Sequence, residues 1–149
     1  MRKAAIAVFA VLVILGVSLV YLAFQPPNTV QIRFAGVVLS VELATTPAEQ
    51  EKGLSGRDSM PADHGMLFIF GTEGIWSFWM HGMKFPLDII WFNSNREVVF
   101  VEQGLEPCSP NECPSFSPSA SAMYVLEVNA GFVSMHGVSA GDMFTFVLP

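Results

Sequence analysis

The chain has 149 residues, of which 52% are hydrophobic and only 13% charged, and its formal net charge is −6. That charge content is about half of what an ordinary soluble domain carries. The length leaves room for one domain, the hydrophobicity excludes a disordered chain, and the acidic balance excludes a basic face for nucleic acid.

The imbalance is concentrated at one end. Residues 4–24 form an uninterrupted run without a charge, preceded by Arg2 and Lys3 and followed by Gln25-Pro26-Pro27-Asn28. As a helix the run spans roughly 30 Å, the thickness of the hydrocarbon core of a bilayer. The flanking positive pair predicts a cytoplasmic N-terminus and a domain outside the membrane. A cleaved signal peptide is the competing reading, with a secreted or periplasmic product, although Tyr21-Leu22-Ala23 is a poor cleavage site. The expected organisation is an anchor or signal over 1–24, a linker over 25–29 and an extracytoplasmic domain over 30–149. Arg2 and Lys3 account for two of the seven basic residues and no acidic residue precedes residue 25. The exported part therefore holds 13 acidic and 5 basic residues, a net charge of −8.

Within that part, Val30-Gln31-Ile32-Arg33-Phe34 and Val37–Leu43 alternate apolar and polar around Ala35-Gly36, which predicts a hairpin. Thr46-Pro47-Ala48-Glu49 supplies an N-cap, a first-turn proline and an acid at N3. It predicts a helix of two to three turns reaching about Leu54 and ended by Gly56. Gly65-Met66-Leu67-Phe68-Ile69-Phe70 reads as a central strand, and Phe78-Trp79-Met80 as a second short apolar piece. Leu87–Phe92 and Arg96–Val101 flank Asn93-Ser94-Asn95 as another hairpin. Residues 103–122 read as an irregular loop rich in Pro and Ser. Met123–Val128 is a further strand, Ala130–Val138 one short helix, and Met143–Leu148 a final strand. These elements predict a mainly β fold, a compact β-sandwich or barrel-like domain with one or two short helices behind a transmembrane helix.

Several of these segments come in a recognisable order. They are Glu42-Leu43-Ala44-Thr45, Gly53-Leu54-Ser55-Gly56-Arg57, Met60-Pro61, Gly65–Phe70, Phe78-Trp79-Met80, Pro86-Leu87-Asp88-Ile89, Tyr124-Val125-Leu126-Glu127, Ala130-Gly131 and Gly141-Asp142. Together they resemble domain-of-unknown-function family 192 over roughly residues 37–148. The resemblance implies a mainly β exported domain and no established activity. The chain departs from similar sequences at His81, where a lysine is usual, and at Ser55, where methionine is usual.

The chemistry-bearing residues are few. Cys108 and Cys113 are separated by four residues, so a turn brings them together and an exported protein keeps them bonded. Free thiols and a metal clip or redox pair are the alternatives. Asp88 interrupts an apolar strand and must be paired or face a cleft. Its expected partner is Arg57 or the backbone N–H groups of the preceding turn. Arg57, His81, Asp88 and Glu127 are the candidates for a polar pocket, and two of its carboxylates would suit acid–base work. Trp76 and Trp79 are the candidate ligand-facing aromatics, Trp76 being the one expected at the surface. Met80, His81, Met83 and His136 are the candidates for a copper site, since thioether and imidazole suit Cu(I). No serine-nucleophile elbow, phosphate loop or zinc-protease motif is present in the sequence.

The reading that follows is a membrane-tethered binding or envelope-associated module, with no cofactor and no catalysis expected. Its partners are the bilayer, through residues 4–24, and an unidentified envelope protein or polymer, but not nucleic acid. A carboxylate-dependent hydrolase or lyase acting on a cell-envelope polymer and a copper-binding protein are the alternatives.

Overall fold

β1 (Thr29–Phe34) and β2 (Val37–Ala44) pair antiparallel in the expected hairpin, with Phe34 opposite Val37. Ala35 and Gly36 both take positive φ, as a two-residue hairpin turn requires. The structure is a computed structural model that describes residues 29–109 and 111–148. The expected membrane span lies outside the described residues. Among those described, no helix is long and apolar enough to cross a membrane.

Helix α1 (Pro47–Lys52) starts as expected. The Thr46 side chain accepts from Glu49 N, and the Glu49 carboxylate accepts from Thr46 N at 2.8 Å. It is shorter than predicted, because Gly53 takes φ +48 and ends the helix three residues before Gly56. β3 (His64–Gly74) then runs parallel to β2, and β4 (Phe78–Trp79) follows. β5 (Leu87–Phe92) and β6 (Val98–Leu105) form the second hairpin, offset by two residues from the predicted second strand. β7 (Ser115–Phe116) pairs with β4 in a separate two-stranded ribbon, inside the stretch expected to be irregular. β8 (Ala122–Asn129), α2 (Phe132–His136) and β9 (Thr145–Phe146) complete the chain. The last strand is only two residues long, against the six predicted over Met143–Leu148.

The main sheet has the order β6-β5-β8-β3-β2-β1-β9, so the predicted strand at Gly65–Phe70 is indeed central. The segment before β9 bonds back to the start of β6. Val98 N donates to Asp142 O at 2.8 Å, and Gly141 N donates to Val98 O at 2.9 Å. The two edges of the sheet are thereby tied together, which gives a mainly β, barrel-like fold with two short helices. Period-two alternation supplies two hydrophobic clusters, one on each face. On β5, Ile90 and Phe92 enter the inner cluster with Phe34, Leu126 and Phe144. Leu87, Ile89 and Trp91 enter the outer one with Phe68, Met80 and Leu54. The outer cluster is roofed by the loop after α1 and by the segment carrying β4, and the candidate site forms under that roof.

Candidate functional site

Strand register places the key carboxyl. Glu42, Met66, Glu127 and Ile89 are consecutive partners across β2, β3, β8 and β5, so they form one rung of the outer face. Glu127 sits in the middle of that rung. It is 4% exposed, and its Oε2 has no hydrogen-bond partner. Burial raises its pKa to about 8, against a smaller opposing pull from the positive charge of Arg57. Removal from water disfavours the charged form, so at neutral pH the group is mostly a neutral acid.

Arg57 does not bind Glu127. Its Nη1 and Nη2 donate to Glu42 Oε1 and Oε2, the second at 2.7 Å, in a two-pronged ion pair. This pair holds Glu42 below the usual carboxylate range and raises Arg57 further. The loop carrying Arg57 is fastened to the segment after β4. Ser55 Oγ donates to His81 O and Gly56 N donates to Gly82 O, both at 2.8 Å. Gly82 has φ +72, and a Cβ there would lie 3.3 Å from that of Ser55. The close approach therefore depends on glycine.

Above Glu127 lies a pocket of about 320 Å³. Gln50, Glu51, Lys52 and Gly53 of α1 and its cap form one wall, Phe68 and Phe70 of β3 the floor, and Trp76, Phe78 and Trp79 the other wall. Gln50 Nε2 donates to Ala44 O and Ile69 O, which locks α1 onto the sheet. A Cβ on Gly53 would lie 3.4 Å from the Phe68 ring and 3.7 Å from Glu127 Oε2, so the bare backbone keeps space open over the carboxyl. Trp76 stacks on Phe70 with ring centres 4.1 Å apart and planes 7° from parallel. Its carbonyl accepts from Trp91 Nε1, while its own Nε1 is buried without a partner.

The sequence candidates divide sharply. Glu127, Trp76 and Trp79 line the pocket. Trp79 is the exposed tryptophan, at 54%; Trp76, expected at the surface, is half-buried by its stacking on Phe70. Asp88 is fully buried on the opposite face of the sheet. Its Oδ1 accepts from Gly104 N at 2.8 Å and its Oδ2 from Val133 N at 2.9 Å. Its partners are thus backbone groups, but those of a β6 bulge and the first turn of α2, neither Arg57 nor the preceding turn. His81 is exposed and outside the pocket lining, so Arg57, His81, Asp88 and Glu127 do not share one pocket.

Met80 and Met83 are packed into the outer cluster, whereas His136 lies on α2 beside Phe132 of the inner one. The copper candidates are thus divided between the two faces. Among the described residues, no group of three or more His, Cys, Asp or Glu is placed to hold a metal. Cys108 and Cys113 form a disulfide, with Cα atoms 5.0 Å apart. Phe68, Phe70, Phe78 and Gly53 stand in the sequence only as parts of motifs and apolar segments, and nothing there marks Glu51 as a site residue. The signal for the first two was present in the alternation of Met66, Phe68 and Phe70 on one face.

The comparison with curated proteins gives no match. Two solved structures are similar. One is a protein from Sinorhizobium meliloti 1021 described as a "putative transcription regulator". It is 33% identical with a TM-score of 0.75, and the match covers 83% of this chain and 97% of that one. The other is a protein of unknown function from Novosphingobium aromaticivorans DSM 12444, 29% identical with a TM-score of 0.73, covering 81% and 89%. A family described as "Uncharacterized ACR" matches residues 30–146, most of the chain. This chain belongs to that family, domain-of-unknown-function family 192.

Proposed function

We propose that the chain is a membrane-tethered, extracytoplasmic module that binds a small organic ligand in the pocket over Glu127, without catalysis. One observation carries this reading. Among the described residues, two buried side-chain polar atoms lack a partner, Trp76 Nε1 and Glu127 Oε2, and both residues line the same pocket. Leaving such atoms unpaired is costly, and a ligand that meets them removes the cost. The volume and the aromatic lining suit a small molecule. The tether rests on the uncharged run at residues 4–24, and export is supported by the bonded cysteines. The name of the Sinorhizobium neighbour transfers poorly, since a net charge of −8 lacks the basic face that DNA needs.

Tryptophan fluorescence of the full chain in nanodiscs, titrated with amines, polyols, saccharides and aromatic metabolites, tests the binding. A saturable change in the wild type that Trp79→Ala weakens supports it; silence across all four classes overturns it. Protease digestion of intact and permeabilised cells tests the side of the membrane.

A second reading, a hydrolase or lyase, keeps one support: a carboxyl held protonated near neutrality is a suitable general acid. Its expected second carboxylate, Asp88, is on the other side of the sheet. That leaves Glu51 at the rim, and turnover lost in Glu127→Gln would favour this alternative.

A further inference from the structure

This inference rests on the binding reading and names the ligand class. We propose that the pocket takes an organic cation, an alkylammonium or quaternary ammonium group seated among the aromatic side chains with Glu127 as its counter-ion.

Three observations support it. The first is the unpartnered carboxyl. A buried carboxylate needs a positive partner, and Arg57, the positive charge that acts on it through space, is already engaged at both prongs by Glu42. The second is the lining. Phe68, Phe70, Trp76, Phe78 and Trp79 supply π-faces, which attract cations more strongly once water is excluded. The third excludes the obvious competitor, a polyol or sugar, which needs several free hydrogen-bonding side chains. Those of the pocket are largely spent within the protein. Gln50 Nε2 serves two carbonyls, Ser55 Oγ serves His81 O, and Ser77 Oγ pairs with Ser117 Oγ. Apart from the exposed Glu51 and Lys52 at the rim, what remains is one buried acid, one buried indole N–H and aromatic surface. That set suits an ammonium group, and the net charge of −8 draws cations toward the domain.

The proton linkage has a definite sign. Glu127 must lose its proton to pair with the cation, so binding tightens as pH rises through about 8 and then levels off. The charged groups around it are Arg57 from the loop after α1, Glu42 from β2, His64 at the start of β3, and Glu51 and Lys52 of α1. Glu51 and Lys52 are exposed at the rim and of opposite sign, and Asp88 from β5 faces the other cluster.

The test is calorimetric titration of the full chain in nanodiscs with choline and with its neutral isostere 3,3-dimethylbutan-1-ol. It is run from about pH 6 to about pH 9 on the wild type and Glu127→Gln. The expected result is a preference for choline of about tenfold or more at the upper pH, weakening more than about tenfold toward the lower. Glu127→Gln abolishes both the preference and the pH slope, while the isostere is unaffected by pH in either protein. Equal affinity for the two probes, no choline binding, or a preference that survives Glu127→Gln overturns the proposal. If the isostere or a methyl glucoside binds while choline does not, the cation is wrong and the binding reading stands. If no probe of any class binds, both fall. Should Glu127→Gln fail to fold, the wild-type pH slope for choline against the flat isostere still decides.

Discussion

Asp88 and Glu127 are the two buried acidic residues among those described, and they lie on neighbouring strands one register step apart. Their environments are opposite. Asp88 faces the inner cluster, where both its oxygens accept backbone N–H groups. One comes from Gly104, at φ +60 beside the irregular pairing of β5 with β6; the other comes from the first turn of α2, whose N-cap Gly131 has no side chain to offer. Asp88 therefore fills a capping role across space. Glu127 faces the outer cluster, and its Oε2 accepts nothing. The same residue class on the same sheet is structural where the backbone has donors to offer, and available where aromatic rings do not. An acid in a hydrophobic strand is thus a site only when its face of the sheet leaves it unanswered.

The largest effect is expected at the satisfied end. Asp88→Ala orphans the buried N–H of Val133 and the part-buried N–H of Gly104 and is predicted to cost about 2–3 kcal/mol of stability by denaturant unfolding. It should leave ligand-dependent fluorescence intact where the fold survives. A loss below about 1 kcal/mol would mean that those donors find other partners, and the contrast would collapse.

The next test addresses the unsatisfied end and is read from pH. The pKa of Glu127 is raised from 4.5 in the unfolded chain to about 8 in the folded one. Between those values the folded state holds a proton that the unfolded state has lost. Stability is therefore predicted to fall as pH rises through that window and to level off above it. Glu127→Gln removes this slope. At about pH 9 the variant should exceed the wild type by on the order of a few kcal/mol, whereas near pH 4 the two should be similar. Parallel stability profiles for the two proteins would show that Glu127 is solvated or paired.

Much of this contrast was written in the sequence, but not its resolution. The hairpins, the capped helix and the central strand follow from local signals: alternation at Val37–Leu43, a capping box at Thr46–Glu49, an apolar run between glycines. Asp88 stood out because it breaks an apolar strand. Its donors could not be read, since Gly104 and Val133 lie 16 and 45 residues away and meet it only through strand pairing and α2 docking. The pocket was legible in part. Trp76, Trp79 and Glu127 are legible as candidates, but the half-burial of Trp76, expected at the surface, is not. Stacking on Phe70 buries Trp76, and β4, two residues long, leaves Trp79 outward. Gly53 read only as part of a motif. That its missing Cβ keeps space over Glu127 is a consequence of packing between distant strands.

The smallest effect asks whether Arg57 belongs to Glu42 or to Glu127. It is bonded to Glu42 and acts on Glu127 only through space. The pair is partly open to solvent, with Arg57 at 36% and Glu42 at 17% exposure, so screening keeps its contribution near about 1 kcal/mol. Glu42 is held below 4.5 in the folded protein, so that contribution is present above 4.5 and disappears as pH falls through the lowered value. Arg57→Ala is therefore predicted to destabilise at neutral pH and to match the wild type in strong acid. The same variant should push the Glu127 midpoint upward, because it removes a nearby positive charge. A downward shift would mean that water enters once Arg57 is gone, and Arg57 would then be a wall of the pocket as well as a partner of Glu42. An unchanged midpoint would place Arg57 wholly with Glu42, leaving burial alone to set the protonation of Glu127.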